Sequence, residues 1–262
     1  MNITTLDTEN QAAALAFLRS SPYRNALPLS NVGQLRAHCD VLVAAQGGRV
    51  VGVMSFYRDL PILNLTFAAR QREVAVALLH ELAERQPRFR SEPFYALLPA
   101  QRYAWLSQYV AVQESEIEFQ MVVEPEVLRV PASPVARRLG EADLPAMSAL
   151  AEAAGLSVWH DGTLALGPAF GCFVADRLVS MAATHFATPE IVEIGHIATH
   201  PEFRQRGYAS ACTAALASAA FALAPRVFLM VLEHNLPALT TYQRLGFRSM
   251  ERFHLTRFAP YS

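Results

Sequence analysis

The chain has 262 residues, 52% of them hydrophobic and 17% charged, and a formal net charge of -1. That composition can build a sizeable core and excludes disorder, while near-neutral charge argues against wholesale nucleic-acid binding, which needs a strongly basic face. All 22 basic residues are arginine, so no lysine side chain is present to be acylated and no Gly-x-x-x-x-Gly-Lys phosphate loop can form.

Cys39, Cys172 and Cys212 follow no ligand spacing and read as small buried apolar residues, neither disulfides nor metal ligands. The start, MNITTLDTEN, lacks the basic-then-apolar layout of a signal peptide. The apolar run from Ala211 to Pro225 is interrupted by Thr213 and Ser218 and falls short of the ~20 residues that cross a bilayer. The expectation is a soluble, cytoplasmic protein with no membrane or nucleic-acid partner and no metal, as a monomer or a homodimer.

Along the chain, Thr8 and Gln11 have capping-box spacing ahead of a helix whose apolar face is Ala12 to Leu18. A less regular helix follows over Tyr23 to Gln34. Val41 to Ala45 and Val50 to Tyr57 read as strands joined by a hairpin at Gly47-Gly48. Ile62 to Phe67 is a strand. Arg70 to Arg85 is amphipathic and helical, with Val74, Leu78, Leu79 and Leu82 on one face. Phe94 to Leu98, Ala100 to Tyr109 and Ile117 to Val123 complete a first α/β unit as strand, helix and strand. Residues 124 to 136 contain three prolines, which end ladders and helices, and read as a linker.

The second half repeats the order. Val135 to Leu139 is an entry strand, and a helix then runs to Ala154 with Asp143 as N-cap and Pro145 in its first turn. Ser157 to Thr163 is a polar, aromatic loop. A hairpin follows around Asp176-Arg177. Ile191 to Thr199 is a strand, Tyr208 to Leu223 a helix, Val227 to Leu232 a strand and Pro237 to Leu245 a helix. Phe247 to Phe258 reads as a hairpin-like close. Two copies of one α/β unit are predicted, at residues 1–128 and 129–262.

Arg204-Gln-Arg-Gly-Tyr-Ala209 stands between a strand and a long helix. The first N–H groups of a helix lack partners, and the helix dipole makes that end positive. Gly207 allows close backbone approach, and arginine grips phosphate with paired hydrogen bonds. The stretch therefore has the outline of a phosphate site. The first copy has Ala68 to Ala75 at the same place, with no glycine and with Glu73, and looks unable to hold pyrophosphate that way.

These residues carry a resemblance. Arg204 to Ala209 fits Gln/Arg-x-x-Gly-x-Gly/Ala, and Asn235, Ala238, Tyr242 and Gly246-Phe247 fit Asn-x-x-Ala-x-x-x-Tyr-x-x-x-Gly-Phe. Both patterns resemble the GCN5-related N-acetyltransferase (GNAT) superfamily. The resemblance implies an α/β (α+β) fold of two tandem GNAT-like domains, each a mixed, mostly antiparallel twisted sheet flanked by helices, the N-terminal copy degenerate. It implies acetyl-coenzyme A as acyl donor, a small-molecule amine as acceptor and direct attack as the route.

For cofactor contacts it points to Ile197, Ala198 and Thr199 on the strand edge. It adds Arg204, Gln205, Arg206, Gly207, Tyr208 and Ala209 at the loop, then Asn235, Ala238 and Tyr242. Tyr242 is the implied general acid. Glu193, fourteen residues before Gly207, matches the spacing of the family's catalytic glutamate. An ion-paired strand residue or a base working through water fits Glu193 as well. Strand alternation places Glu193, Gly195, Ile197 and Thr199 on one face and His196 on the other, as a core histidine. His200 is left between a 3′-phosphate contact and no contact, and His234 and Glu233 are secondary cleft candidates. Trp159, His160 and Asp161 are acceptor-site candidates, because the family's equivalent loop covers the acceptor; a surface loop with one packed Trp fits equally. A protein-acting acetyltransferase and a non-catalytic acyl-coenzyme A sensor are the competing readings.

Overall fold

A computed structural model describes residues 1–59, 63–156, 159, 160 and 162–262. In chain order the first elements are β1 (Asn2–Thr5), α1 (Gln11–Arg19), α2 (Ala26–Val32), β2 (Cys39–Gln46), β3 (Arg49–Tyr57) and β4 (Leu63–Ala69). Next come α3 (Arg72–Arg85), α4 (Pro87–Ser91), β5 (Phe94–Pro99), α5 (Ala100–Leu106) and β6 (Val112–Val123). The second half holds β7 (Arg137–Arg138), α6 (Leu144–Ala154), α7 (Thr163–Leu166), β8 (Ala169–Val174), β9 (Arg177–Ala187) and β10 (Val192–Thr199). It closes with α8 (Tyr208–Ala220), β11 (Val227–Leu232), α9 (Leu236–Arg244) and β12 (Arg248–Phe258).

The chain forms two compact units, Met1–Glu118 with Glu251–Ser262, and Phe119–Met250. This division departs from a single cut at 128/129 because the chain end returns to the first unit. There β12 pairs antiparallel with β5, from Phe253↔Pro99 to Phe258↔Phe94. The hairpin-like close expected over 247–258 is instead one eleven-residue strand.

In the N-terminal unit β1 to β4 form an antiparallel meander, and β4 then runs parallel to β5. Helix α3 buries Val74, Ala75, Leu78, Leu79, Leu82 and Ala83 on that sheet, the face its three- and four-residue spacing predicts. Phe56, Phe67, Phe89, Phe94 and Phe258 complete the core. Helix α1 starts at Gln11 without a Thr8 capping box; the Asp7 carboxylate accepts the N–H groups of Glu9 and Asn10 instead, at 2.9 Å each.

The C-terminal unit orders its strands β11-β10-β9-β8-β7, antiparallel except for the β10–β11 pair. Alanine-rich α8 lies on the sheet with Ala211, Cys212, Ala214, Leu216, Ala217 and Ala220 buried against Val179, Ile194 and Leu229. Small side chains let that helix approach closely. The entry strand shrinks to two residues, since Arg137 binds Asp143 through two nitrogens, at 2.7 and 3.0 Å. Asp143 also accepts Gly140 N–H at 2.9 Å, so it closes the preceding turn and does not cap α6 through its side chain. The three cysteines are free and buried, with the Cys172 and Cys212 sulfurs 3.5 Å apart.

Candidate active site

The site in the C-terminal unit begins where two parallel strands separate. The β10–β11 ladder consists of Val192↔Val227 and Glu193↔Phe228, although β10 continues to Thr199 and β11 to Leu232. On its other side β10 stays paired with β9 as far as Thr199↔Ser180, and His200 N–H donates to Val179 O at 2.9 Å. Main-chain groups alternate sides along a strand, so those of Thr199 face the open edge. Ala198 faces β9, where its carbonyl accepts from Ser180 Oγ at 2.9 Å.

Eight residues separate the end of β10 from α8. Gln205 and Gly207 both take the left-handed conformation, at φ 61° and 82°. Alternating left-handed residues turn successive N–H groups inward and make an anion-binding concavity. A side chain at Gly207 would be strained by that φ and would bring Cβ to 3.3 Å from Pro134 Cδ. The free N–H groups of Tyr208 and Ala209 open the thirteen-residue helix at this point. Arg204 and Arg206 are exposed beside the loop. Arg204 Nε reaches Thr199 O at 3.4 Å, and the Arg206 guanidinium lies 5.4 Å over the Phe203 ring. No carboxylate among the described residues pairs with either. A diphosphate fits this loop: conformation, helix end and uncommitted cations agree.

The first copy has no equivalent. Only Arg70 and Gln71 join β4 to α3, Gln71 is extended, and no residue of that turn has positive φ.

Asn235 caps α9, its Oδ1 accepting Ala238 N–H at 3.3 Å, which leaves its amide NH2 group as a spare donor. Tyr242 lies two turns along, 6% exposed, its ring 6.1 Å from Phe247. Burial pushes its phenol above the ordinary tyrosine range, so it keeps its proton at any working pH. Gly246 ends the helix at φ 100°, the left-handed cap its type favours.

Glu193 is buried and accepts a hydrogen bond from His185 Nδ1 at 2.9 Å. His185 Nε2 in turn accepts His196 N–H at 3.2 Å. Both bonds are made by the tautomer that carries its proton on Nδ1, in which Glu193 orients the ring. Two β-bulges build this arrangement. One leaves His185 without a partner between Glu193↔Phe186 and Ile194↔Thr184, and the other interrupts β10 between Gly195 and Ala198, with His196 at φ 43°. Bulges re-aim side chains. The His185 ring lies against Gly195, where a Cβ would come within 2.3 Å of it.

These bulges overturn the alternation expected for β10. His196 does not sit on a face away from Glu193. Its ring packs edge-on against His185, with centroids 4.2 Å apart, so it joins the Glu193 cluster. It is also a buried core histidine, as expected. His185 was missed by sequence reading: nothing in its spacing from Glu193 signals a contact that needs a bulge. Trp159 and His160 approach the same cluster, with centroids 5.3 and 6.4 Å from His196, and Trp159 Nε1 donates to Ser148 Oγ at 2.9 Å. Asp161 lies outside the described residues. His200 is committed elsewhere, accepting from Arg177 Nη2 at 2.7 Å. His234 is exposed and Glu233 half-buried, at the end of β11.

Comparison with known proteins shows the fold. Residues 170–255 match the FR47-like protein family model. A tandem GNAT protein from the clavulanic acid biosynthesis pathway superposes with a TM-score of 0.66 at 17% identity, covering 100% of this chain and 98% of its own. The chain has the tandem GNAT fold. A GCN5-related N-acetyltransferase from Sphaerobacter thermophilus superposes at TM-score 0.70 and 15% identity, covering 98% of this chain and 94% of its own. A protein assigned to the GNAT family from Novosphingobium aromaticivorans DSM 12444 gives 0.63 at 22% identity, over 89% and 96%. No curated protein matches the sequence. Within this GNAT fold the separated pair β10–β11 and the loop before α8 lie in the C-terminal unit, and the N-terminal unit carries the same strand pattern without the loop.

His196 also makes the fold pH-sensitive. Its imidazole is pushed down to about 2, first by lost hydration and then by His185 and His160. In the unfolded chain it protonates near pH 6.5. Between those values the unfolded state binds the extra proton. Stability is therefore full above about pH 6.5 and falls as pH drops toward 2, by up to about 1.4 kcal/mol per unit from this group. Urea unfolding at pH 7 and pH 5 is expected to differ less for His196→Gln than for the parent chain; an equal difference would refute this assignment.

Proposed function

We propose that the protein is an N-acetyltransferase that moves an acetyl group from acetyl-coenzyme A to the primary amine of a small molecule. The observation that carries this reading is the left-handed Gln205–Gly207 loop at the head of α8, next to the strand edge that β11 leaves open. The donor would supply the activated thioester. On this reading the N–H groups of Gln205 to Ala209, with Arg204 and Arg206, hold its diphosphate. The spare amide of Asn235 holds the pantetheine arm, and Ala238 leaves room beside α9. The N–H groups of Ile197 and Thr199 receive the carbonyl oxygen as negative charge develops on it.

Glu193 accepts the amine proton, directly or through water, and His185 holds its carboxylate in place. Tyr242, kept protonated by burial, gives its proton to the departing thiolate. Trp159 and His160 line the acceptor side. Two imidazoles and an indole beside one buried carboxylate suit a compact amine better than a long basic peptide.

Thiol release from acetyl-coenzyme A, followed across a panel of small amines and basic peptides, tests this. Turnover with a small amine is expected, slowed roughly 100-fold by Tyr242→Phe. Binding of acetyl-coenzyme A without thiol release from any acceptor would replace the enzyme reading with that of a non-catalytic acyl-coenzyme A binder.

A further inference from the structure

A cavity of about 360 Å³ lies in the N-terminal unit, at the carboxyl ends of its parallel strands β4 and β5. Those strands pair over Leu63↔Phe94, Asn64↔Tyr95 and Leu65↔Ala96 and then separate. Ala68, Ala69 and Pro99 form part of its wall. The opening is the first copy's counterpart of the β10–β11 edge, with the phosphate loop gone. Its chemistry is different. Three guanidinium groups, of Arg24, Arg70 and Arg102, line it against one carboxylate, Glu251.

That carboxylate is already engaged, because Glu251 binds Arg24 through both oxygens at 2.8 Å. Among the described residues Arg102 donates to uncharged acceptors, Arg24 O at 3.0 Å and Asn25 Oδ1 at 2.5 Å. Burial and the Arg24 charge depress it to about 10, with Glu251, already paired to Arg24, opposing them, so it stays cationic but incompletely compensated. Arg70 meets the Phe17 ring at 6.0 Å and no carboxylate among the described residues. A half-buried cation without a counter-ion is costly, and an anion in the cavity would relieve it.

We propose that this cavity binds a small polar molecule carrying an oxyanion, a carboxylate or a phosphate, held by Arg70 and Arg102. Ser21, Asn25 and Gln101 add neutral polar groups for the rest of such a ligand. The volume suits a metabolite and not a cofactor the size of coenzyme A. The degenerate copy would then be a ligand-binding domain in its own right. This inference does not rest on the acetyltransferase reading.

Calorimetric titration of the full chain tests it, using succinate and inorganic phosphate separately at constant ionic strength. Arg206→Glu with Gly207→Asp is the background, so that the loop before α8 cannot supply the signal. One-site saturable binding of either probe is expected, and which probe binds identifies the class of oxyanion. Arg70→Ala, a change at an exposed side chain, should weaken it about tenfold or more, and Glu251→Gln should tighten it severalfold. No saturable binding of either probe up to about 20 mM would overturn the proposal. So would binding that neither substitution changes. Failure of the parent chain to bind coenzyme A, with intact oxyanion binding, would refute only the acetyltransferase reading.

Discussion

Placing Arg206→Glu and Gly207→Asp in one chain is expected to raise the Kd for coenzyme A by at least about 100-fold while the fold persists. Both residues are exposed, so neither change opens the core. Arg206 pairs with no carboxylate among the described residues, so its charge is available to a ligand. Losing a charge-assisted hydrogen bond costs about 1.5–3 kcal/mol, and the new carboxylates repel a diphosphate. Aspartate at φ 82° adds backbone strain, and its Cβ presses on Pro134 Cδ at 3.3 Å. The altered turn would no longer point its N–H groups inward. Calorimetric titration of coenzyme A measures the effect, with thermal unfolding as the control for folding. Undiminished binding would show that the loop before α8 is not the phosphate site.

Glu193→Gln is expected to lower kcat/KM by about 100- to 10,000-fold and to leave coenzyme A binding within about twofold of the parent. The substitution separates charge from geometry. The amide oxygen of glutamine can still accept from His185 Nδ1, so the His185 ring and the bulged backbone at His196 keep their places. What is lost is a group that can take up a proton. A merely structural Glu193 predicts a small change in kcat/KM with an unaltered pH profile. A base predicts the large loss. Steady-state kinetics from pH 5.5 to about 9 distinguishes the two.

Much of the local structure around the loop before α8 was legible in the sequence because its determinants are local. Gly207 allows a close backbone turn before α8, and alanines along 208–220 mark a helix. The amphipathic spacing of α3 was equally readable. The acceptor end was not. His185 and Glu193 lie on neighbouring strands, and their hydrogen bond exists only because β9 and β10 each carry a bulge. Period-two alternation has no term for an inserted residue, so it put His196 on the wrong face.

The sequence by itself determined the Gly47–Gly48 hairpin, the amphipathic face of α3 and the absence of lysine, because each depends on residue type and near neighbours. It also carried the two motifs that place the chain in the GNAT fold. The tertiary structure decided that β12 returns to pair with β5 in the first unit. It also decided that Glu193, His185, His196 and Trp159 meet, and that Arg24, Arg70 and Arg102 share one cavity. Those contacts join residues far apart in the chain, and they follow from strand register and bulges, which are settled only when the sheets assemble.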